Sequence, residues 1–331
     1  MKLKGKCAGF DFGSKNVHIA LRDGRHVTRV ITEPLPEGIV QEGRIASYEA
    51  MSDFLKELRK RCKLRVKDAA VVLPARVCYS RRLTTTYMSH EQLQFNLPYE
   101  FRDFLSSDKE DYFYDYAVVE TVLDEEGAPR ELDLMAAAVG KSLMHDYIAM
   151  FRRAGFRLRT AIPEELAYIN LIRNGGAEHG HCILDIGHND IRLYMFNGDR
   201  FENIRVLDFG CAALDRAIAE HYNVDVHVAN SYRLTDYENC TALEACREIY
   251  NAIAIEVLKA VNFYNFSNQG EGLGHIHCCG GGEKNAELVK TLQESLSLDV
   301  IDISEFCPDI KPELAVDAPL CAAAAGAVLQ Q

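Results

Sequence analysis

The chain is short of positive charge: 37 Lys+Arg stand against 49 Asp+Glu in 331 residues, a formal charge of −12. A nucleic-acid binder needs a basic face to displace counterions from phosphates, and an anionic lipid surface asks for the same, so the balance argues against both as direct partners. Long apolar runs are missing too. The opening MKLKGKCAGFDFG holds no stretch of the roughly 7–15 apolar residues that mark a secretion signal, and it reads as a strand. Nothing approaches the ~18 apolar residues of a membrane span; the longest candidate is the small-residue stretch Cys321 to Leu329. A soluble, cytoplasmic protein is expected, with any membrane role running through a protein partner. Regular cysteine spacing is also absent: the eleven cysteines are scattered and odd in number, which suits reduced, buried thiols better than a disulfide framework. What remains is an ordinary globular composition, 48% hydrophobic and 26% charged. A chain of this length buries about three quarters of its unfolded surface, enough for two lobes.

Along the chain, Cys7 to Phe12 is apolar, Asn16 to Leu21 alternates, Arg22-Asp23-Gly24-Arg25 turns, and His26 to Ile31 alternates again, which predicts a three-stranded meander. Met51, Phe54, Leu55 and Leu58 fall at helical spacing, and Ala69 to Pro74 reads as a buried strand. Residues 83–155 have a rhythm of their own: a helix capped at Ser89, strands Tyr112 to Val122 and Glu131 to Val139 about an acidic turn, and a helix through Tyr147 and Phe151 that stops at Gly155. We read this as a small α+β insert in a first lobe of 1–82, with 156–180 returning to that lobe. From His181 the meander repeats in kind: Cys182 to Ile186, Ile191 to Phe196, a turn, and Phe201 to Leu207. Helices from Ala212 and near Ala245 to Phe266, a strand His275 to Cys279, a glycine break and a helix through Leu288 complete a second lobe of 181–315, and 316–331 is expected to pack back on the first.

Three glycine-bearing turns carry the chemical signal. Asp11-Phe12-Gly13-Ser14-Lys15-Asn16 sets an acid at a strand end before a turn whose backbone N–H groups can approach phosphate oxygens. Asp185-Ile186-Gly187-His188-Asn189 repeats the design, and two such acids across a cleft suit a hydrated Mg²⁺. Cys279-Gly280-Gly281-Gly282-Glu283 joins a strand to a helix and leaves room for a base or ribose. Singly each turn is an ordinary hairpin signal; the order acid turn, acid turn in a matching meander, then triple glycine is the stronger one.

That layout resembles the actin-like ATPase superfamily. The resemblance sharpens toward its FtsA/PilM family through Val72-Leu73-Pro74, Leu97-Pro98-Tyr99-Glu100-Phe101, Pro163-Glu164-Glu165-Leu166-Ala167 and Phe209-Gly210. It implies a two-lobed α/β, ribonuclease H-like fold with the insert as a family subdomain. It further implies ATP with Mg²⁺: phosphates at Gly13, Ser14, Lys15, Asn16, Gly187, His188 and Asn189, metal near Asp11 and Asp185, and Glu164 polarising an attacking water. Adenosine would lie by Gly210, Asn230, Arg233, Gly280, Gly281, Gly282 and Glu283. The implied role is a cytoplasmic scaffold of type IV pilus or type II secretion assembly. Its partners would be the N-terminal peptide of a PilN-like inner-membrane protein, docked near Met88 to Phe101 and Tyr112 to Tyr116, and the pilus motor ATPase. An FtsA-like filament former and a small-molecule kinase are the rival functions; the last segment lacks the basic, bulky-apolar pattern of a membrane-targeting tail, and no extra general-base acid stands out. The tracts His179-Gly180-His181-Cys182 and His275-Ile276-His277-Cys278-Cys279 read as strand residues rather than a zinc site, because alternation sends His277 and Cys278 to opposite faces.

The chain departs from the family pattern where relatives carry a Lys and it has His18, a Thr or Ser and it has Ile191, a second Gly and it has Cys211, and a Glu and it has Asn230. Losing a fixed cation and a hydroxyl beside the phosphates removes stabilisation that phosphoryl transfer needs. Steady-state phosphate release is therefore expected to stay below about one turnover per second, the low end of kinase-like rates; a faster rate in that assay contradicts the expectation.

Overall fold

The structure, a computed structural model, describes residues 5–105, 108–176, 180–268, 272–307, 310–314 and 317–329. The chain divides into two compact units, one of Met1–Arg25, Glu33–Ala167 and Ala323–Gln331, the other of His26–Thr32 and Tyr168–Ala322.

The chain opens with β1 (Cys7–Phe12) and β2 (Asn16–Asp23) of the first unit and β3 (His26–Pro34), most of which counts with the second, then a short hairpin of β4 (Val40–Gln41) and β5 (Arg44–Ile45) in the first. Next come α1 (Tyr48–Arg61), β6 (Asp68–Leu73), β7 (Cys78–Thr86), α2 (His90–Glu100), β8 (Tyr112–Leu123), β9 (Pro129–Gly140), α3 (Lys141–Arg153), β10 (Arg157–Pro163) and the start of α4 (Glu164–Gly175). A five-stranded sheet runs β10-β6-β1-β2-β3. Its inner strand β6, Asp-Ala-Ala-Val-Val-Leu, pairs in parallel with β1 and with β10 and is buried along Ala69–Leu73. Such a continuous apolar run is what a strand covered on both faces requires. Ser47 caps α1 by accepting from the Ala50 N–H at 3.2 Å, and Arg59, Lys60 and Arg61 sit in its last turn, where they complement the helix dipole. The apolar side of α3 lies on this sheet: Phe151 meets Phe10 edge-on at 5.1 Å between ring centroids, and Tyr147 meets Tyr48 at 5.6 Å. Gly155, at φ +85°, ends α3 and offers its carbonyl to Arg59 Nη1 at 2.8 Å.

A second, three-stranded sheet in this unit has the order β7-β9-β8. Leu83, Leu93, Leu97, Phe101, Leu132 and Leu134 form a core between it and α2. Ser89 and Gln92 build a capping box at the start of α2, at 3.3 Å and 2.9 Å. Arg82 grips the buried Asp133 through Nε and Nη2 at 2.6–3.0 Å, tying β7 to β9.

In the second unit β11 (Gly180–Ile186), β12 (Ile191–Asn197) and β13 (Arg200–Leu207) form the repeated meander, followed by α5 (Cys211–Tyr222), α6 (Val226–Thr235) and α7 (Glu244–Ser267). Then come β14 (His275–Cys279), α8 (Ala286–Ser295) and β15 (Asp299–Asp302), and the sheet order is β13-β12-β11-β14-β15. Its core joins Leu184, Ile186 and Leu193 to Leu214 and Ile218 of α5, Ile253, Val257 and Val261 of α7, and Leu288 and Leu292 of α8. All eleven cysteines are free and buried.

The last helix, α9 (Ala322–Val328), belongs for most of its length to the first unit, where its backbone meets other backbone closely. A Cβ on Gly9 would overlap the Ala324 carbonyl, and one on Gly326 would overlap the Ala167 carbonyl. Only glycine fits such contacts. Gly326→Ala is expected to destabilise the protein by about 1–3 kcal/mol, read as a lower urea midpoint at unchanged slope.

Candidate functional site

In the first unit the turn after β1 closes with the Gly13 N–H donating to the Asn16 carbonyl at 3.0 Å, and the Lys15 carbonyl accepts from the Leu35 N–H at 2.8 Å. Gly13, Ser14, Lys15 and Asn16 are all half-buried, so the structure brings these residues into one tight loop. Asp11 stands directly opposite His18 across the β1–β2 pair. Solvent exclusion around the His18 ring pushes its pKa down to about 4, so the imidazole is neutral at physiological pH. Glu164 is buried at the head of α4, immediately after Pro163, which pairs with Leu73. The ends of β1, β6 and β10 thus carry Asp11 and Glu164 along one rim of the sheet.

In the second unit the other turn repeats this geometry, with the Gly187 N–H on the Asp190 carbonyl at 3.0 Å. Asp185, half-buried, accepts from the Tyr168 hydroxyl at 3.1 Å and faces Arg192 across the β11–β12 pair. Two other segments stack on the turn. The N-terminal amides of α5 donate to it, Cys211 N–H to the Gly187 carbonyl at 3.1 Å and Ala212 N–H to the His188 carbonyl at 2.8 Å. Gly210 permits this, because a Cβ there would stand 2.6 Å from the Gly187 oxygen. From the other side the Gly282 N–H donates to the Ile186 carbonyl at 2.9 Å, and Gly280 adopts φ +83° against the Asp185 carboxylate. Gly281 is exposed, with no atom within 4 Å of where its Cβ would be. Burial, reinforced by Asp302, raises the neighbouring Glu283 carboxyl to about 7. Gly187, His188, Asn189, Gly210, Gly280, Gly281, Gly282 and Glu283 therefore converge in one place.

Asn230 and Arg233, the expected neighbours of the adenosine, lie on α6. Both reach Asp215 on α5: Arg233 Nε donates to Oδ1 at 2.6 Å and Asn230 Nδ2 to Oδ2 at 2.9 Å, while His188 Nδ1 lies 3.7 Å from Oδ2. Asp215 is 1% exposed. The guanidinium and the amide satisfy both of its buried oxygens. No sequence motif includes Asp215, although an acid in the apolar register Cys211, Leu214, Ile218 of one helix face is a signal for it. Arg192 lies in no such motif either.

The histidine tract resolves into packing. The His277 ring is buried against Phe306 at 4.1 Å and His181 at 5.7 Å, and burial holds its pKa at about 3; His179 lies outside the described residues. Among the described residues no group of three or more His, Cys, Asp or Glu side chains is arranged to hold a metal ion, and no helix is long and apolar enough to cross a membrane.

A further concavity lies in the first unit. A cavity of about 260 Å³ is lined by Gln94 and Leu97 of α2, Tyr112 through Tyr116 of β8, and Lys141. Tyr114 and Tyr116 point to the α2 side, where Tyr116 Oη meets His90 Nδ1 at 2.6 Å, while Phe113 on the other face is 44% exposed, with Lys141 Nζ 5.6 Å from its ring centroid. β8 is an edge strand, paired only with β9 in its sheet.

The family model for type IV pilus assembly protein PilM matches residues 9–330. The chain belongs to the PilM family. Its fold is similar to that of a chain in the PilM-PilN type IV pilus biogenesis complex, at TM-score 0.82 and 19% identity, covering 100% of both chains. It is also similar to ethanolamine utilization protein EutJ from Carboxydothermus hydrogenoformans, at TM-score 0.61 and 12% identity over 99% of this chain and 90% of that one. MreB5 of Spiroplasma citri bound to ADP matches at TM-score 0.52 and 15% identity over 98% and 95%. No curated protein matches the sequence. The actin-like α/β fold expected from the glycine turns is thus the fold of this PilM-family chain.

Within that fold the Asp215–Arg233 pair is the most deeply buried charge contact described above. Asp215→Ala, which strands the guanidinium, is expected to cost about 3–5 kcal/mol in urea unfolding, and adding Arg233→Met to recover part of that loss.

Proposed function

We propose that this PilM-family chain is a cytoplasmic scaffold of type IV pilus assembly that docks the N-terminal cytoplasmic peptide of a PilN-like inner-membrane protein. The observation that carries the docking is the aromatic cavity on the open edge of β8. An edge strand offers unpaired backbone N–H and C=O groups to an extended peptide, and Tyr112, Tyr114 and Tyr116 give alternate side chains of that peptide an apolar floor. The similar fold of a chain found in a PilM-PilN complex supports the same partner. With a charge of −12, the scaffold would draw a basic tether by electrostatic steering.

We also propose that the chain binds a nucleotide, ATP with Mg²⁺, as a regulatory ligand with slow or absent hydrolysis. Open space over Gly281, turns closed by glycine, and a helix whose N-terminus meets the second of them are features that fit a phosphate-bearing ligand. The carboxylates of Asp11 and Asp185 are hard oxygen donors of the kind Mg²⁺ takes while it keeps most of its waters. When bound, the metal would screen phosphate charge. Glu164 is proposed to orient a water, and Tyr168, by its hydrogen bond, to fix the Asp185 carboxylate.

Fluorescence anisotropy with a labelled synthetic peptide of the PilN-like N-terminus tests the docking. The wild-type protein is expected to bind, and Tyr116→Ala to weaken binding about tenfold, the loss of one aromatic anchor. Absence of binding by the wild-type protein, with and without ATP, would overturn the partner assignment.

A further inference from the structure

The two glycine turns are the same device down to their hydrogen bonds. Gly13 closes on Asn16 and Gly187 on Asp190, both at 3.0 Å, and the strands on either side set Asp11 opposite His18 and Asp185 opposite Arg192. Residues directly opposite in an antiparallel pair share a face, with Cβ atoms about 4.5–5.5 Å apart. One position therefore recurs in both turns, across from the strand-end acid. In the first it holds an imidazole, and in the second a permanent guanidinium.

The guanidinium is held at its turn. Arg192 Nη2 lies 3.1 Å from Asp190 Oδ2, and the same carboxylate leans over the glycine, its Oδ1 3.6 Å from where a Gly187 Cβ would be. The side chains of Arg192 and Asp190 keep 18% and 21% of their surface, so solvent reaches the pair. A phosphate is the better partner for a planar fork of N–H donors, which it meets bidentately.

We propose that Arg192 is the phosphate-binding cation of the second turn, supplying positive charge to the polyphosphate of a bound nucleotide. Asp190 is one of its resting partners and yields it to the ligand. The proposal rests on the nucleotide-binding reading above, and the test separates the two.

Affinities of the full chain for ATP, ADP and AMP are measured by isothermal titration calorimetry for the wild-type protein, Arg192→Gln and Arg192→Lys, together with melting temperatures and binding of the PilN-like peptide. Arg192→Gln is expected to lose about tenfold or more for ATP, less for ADP and least for AMP, as the loss of a charge-assisted contact to phosphate requires. Arg192→Lys should lose less in the same order, with peptide binding unchanged in both. Equal affinities across the three proteins, or an equal loss for all three nucleotides, would overturn the assignment of Arg192 while leaving nucleotide binding intact. If the wild-type protein binds none of the three, nucleotide binding itself fails and the assignment fails with it. Should the Gln variant not fold, the Lys variant alone reads the order, and affinities matching wild type overturn the proposal.

Discussion

Close backbone approach at glycine governs how the second unit is put together. Gly210, Gly280 and Gly282 each stand where a single added carbon would meet the β11–β12 turn or the strand leading into it: the Gly187 carbonyl, the Asp185 carboxylate, and the Ile186 side chain. Because that carbon is missing, the first amides of α5 reach the turn's carbonyls, and the β14–α8 connection settles on its other side. Backbone hydrogen bonds then replace side-chain packing as the joint. The cost is conformational entropy in the unfolded chain, which glycine loses more of than any other residue. The neighbouring features follow from this joint. It brings α5 close enough for Asp215 to meet His188, and it brings Glu283 into surroundings dry enough to raise its pKa to about 7.

Charge is distributed unequally between two turns of like geometry. Both have a strand-end acid, a glycine at the same offset and a residue directly across the pair, yet desolvation leaves that residue neutral in one and arginine makes it permanently cationic in the other. A negatively charged protein that takes an anionic ligand must concentrate positive potential locally, and the arginine sits where that would count. Arg233 lies on the same unit but is committed to Asp215, so it serves the α5–α6 packing first.

The small sheet in the first unit obeys a different constraint. Its core is built from α2 on one face of β9, and its edge strand β8 is left with alternate side chains on either face: Tyr114 and Tyr116 inward, Phe113 outward. Aromatic residues are both good strand formers and good contact residues. The same tyrosines thus complete a core and line a cavity, and the two roles do not compete.

Much of this was legible in the chain. The duplicated meander, the capped start of α2 at Ser89, the stop at Gly155 and the long α7 register follow from periodicity and capping, which are local rules. The resemblance to the superfamily lies in the order of the glycine turns, and that to the family in motifs such as Val72-Leu73-Pro74 and Pro163-Glu164-Glu165-Leu166-Ala167. Elements with weaker local signals were not legible: β7, β10 and β15 are short or mixed in pattern and take their form from the strands they pair with. The hold of the buried Asp215 on Asn230 and Arg233 was not legible, because no spacing along the chain states that α5 and α6 will lie together. Arg192 was equally silent, since its interest comes from standing opposite Asp185 once the strands pair. The sequence by itself determined the elements, the glycines and the charge balance, because these depend on residues a few positions apart. Only the tertiary structure decided which charges face which, because that depends on strand register and helix packing between residues far apart in the chain.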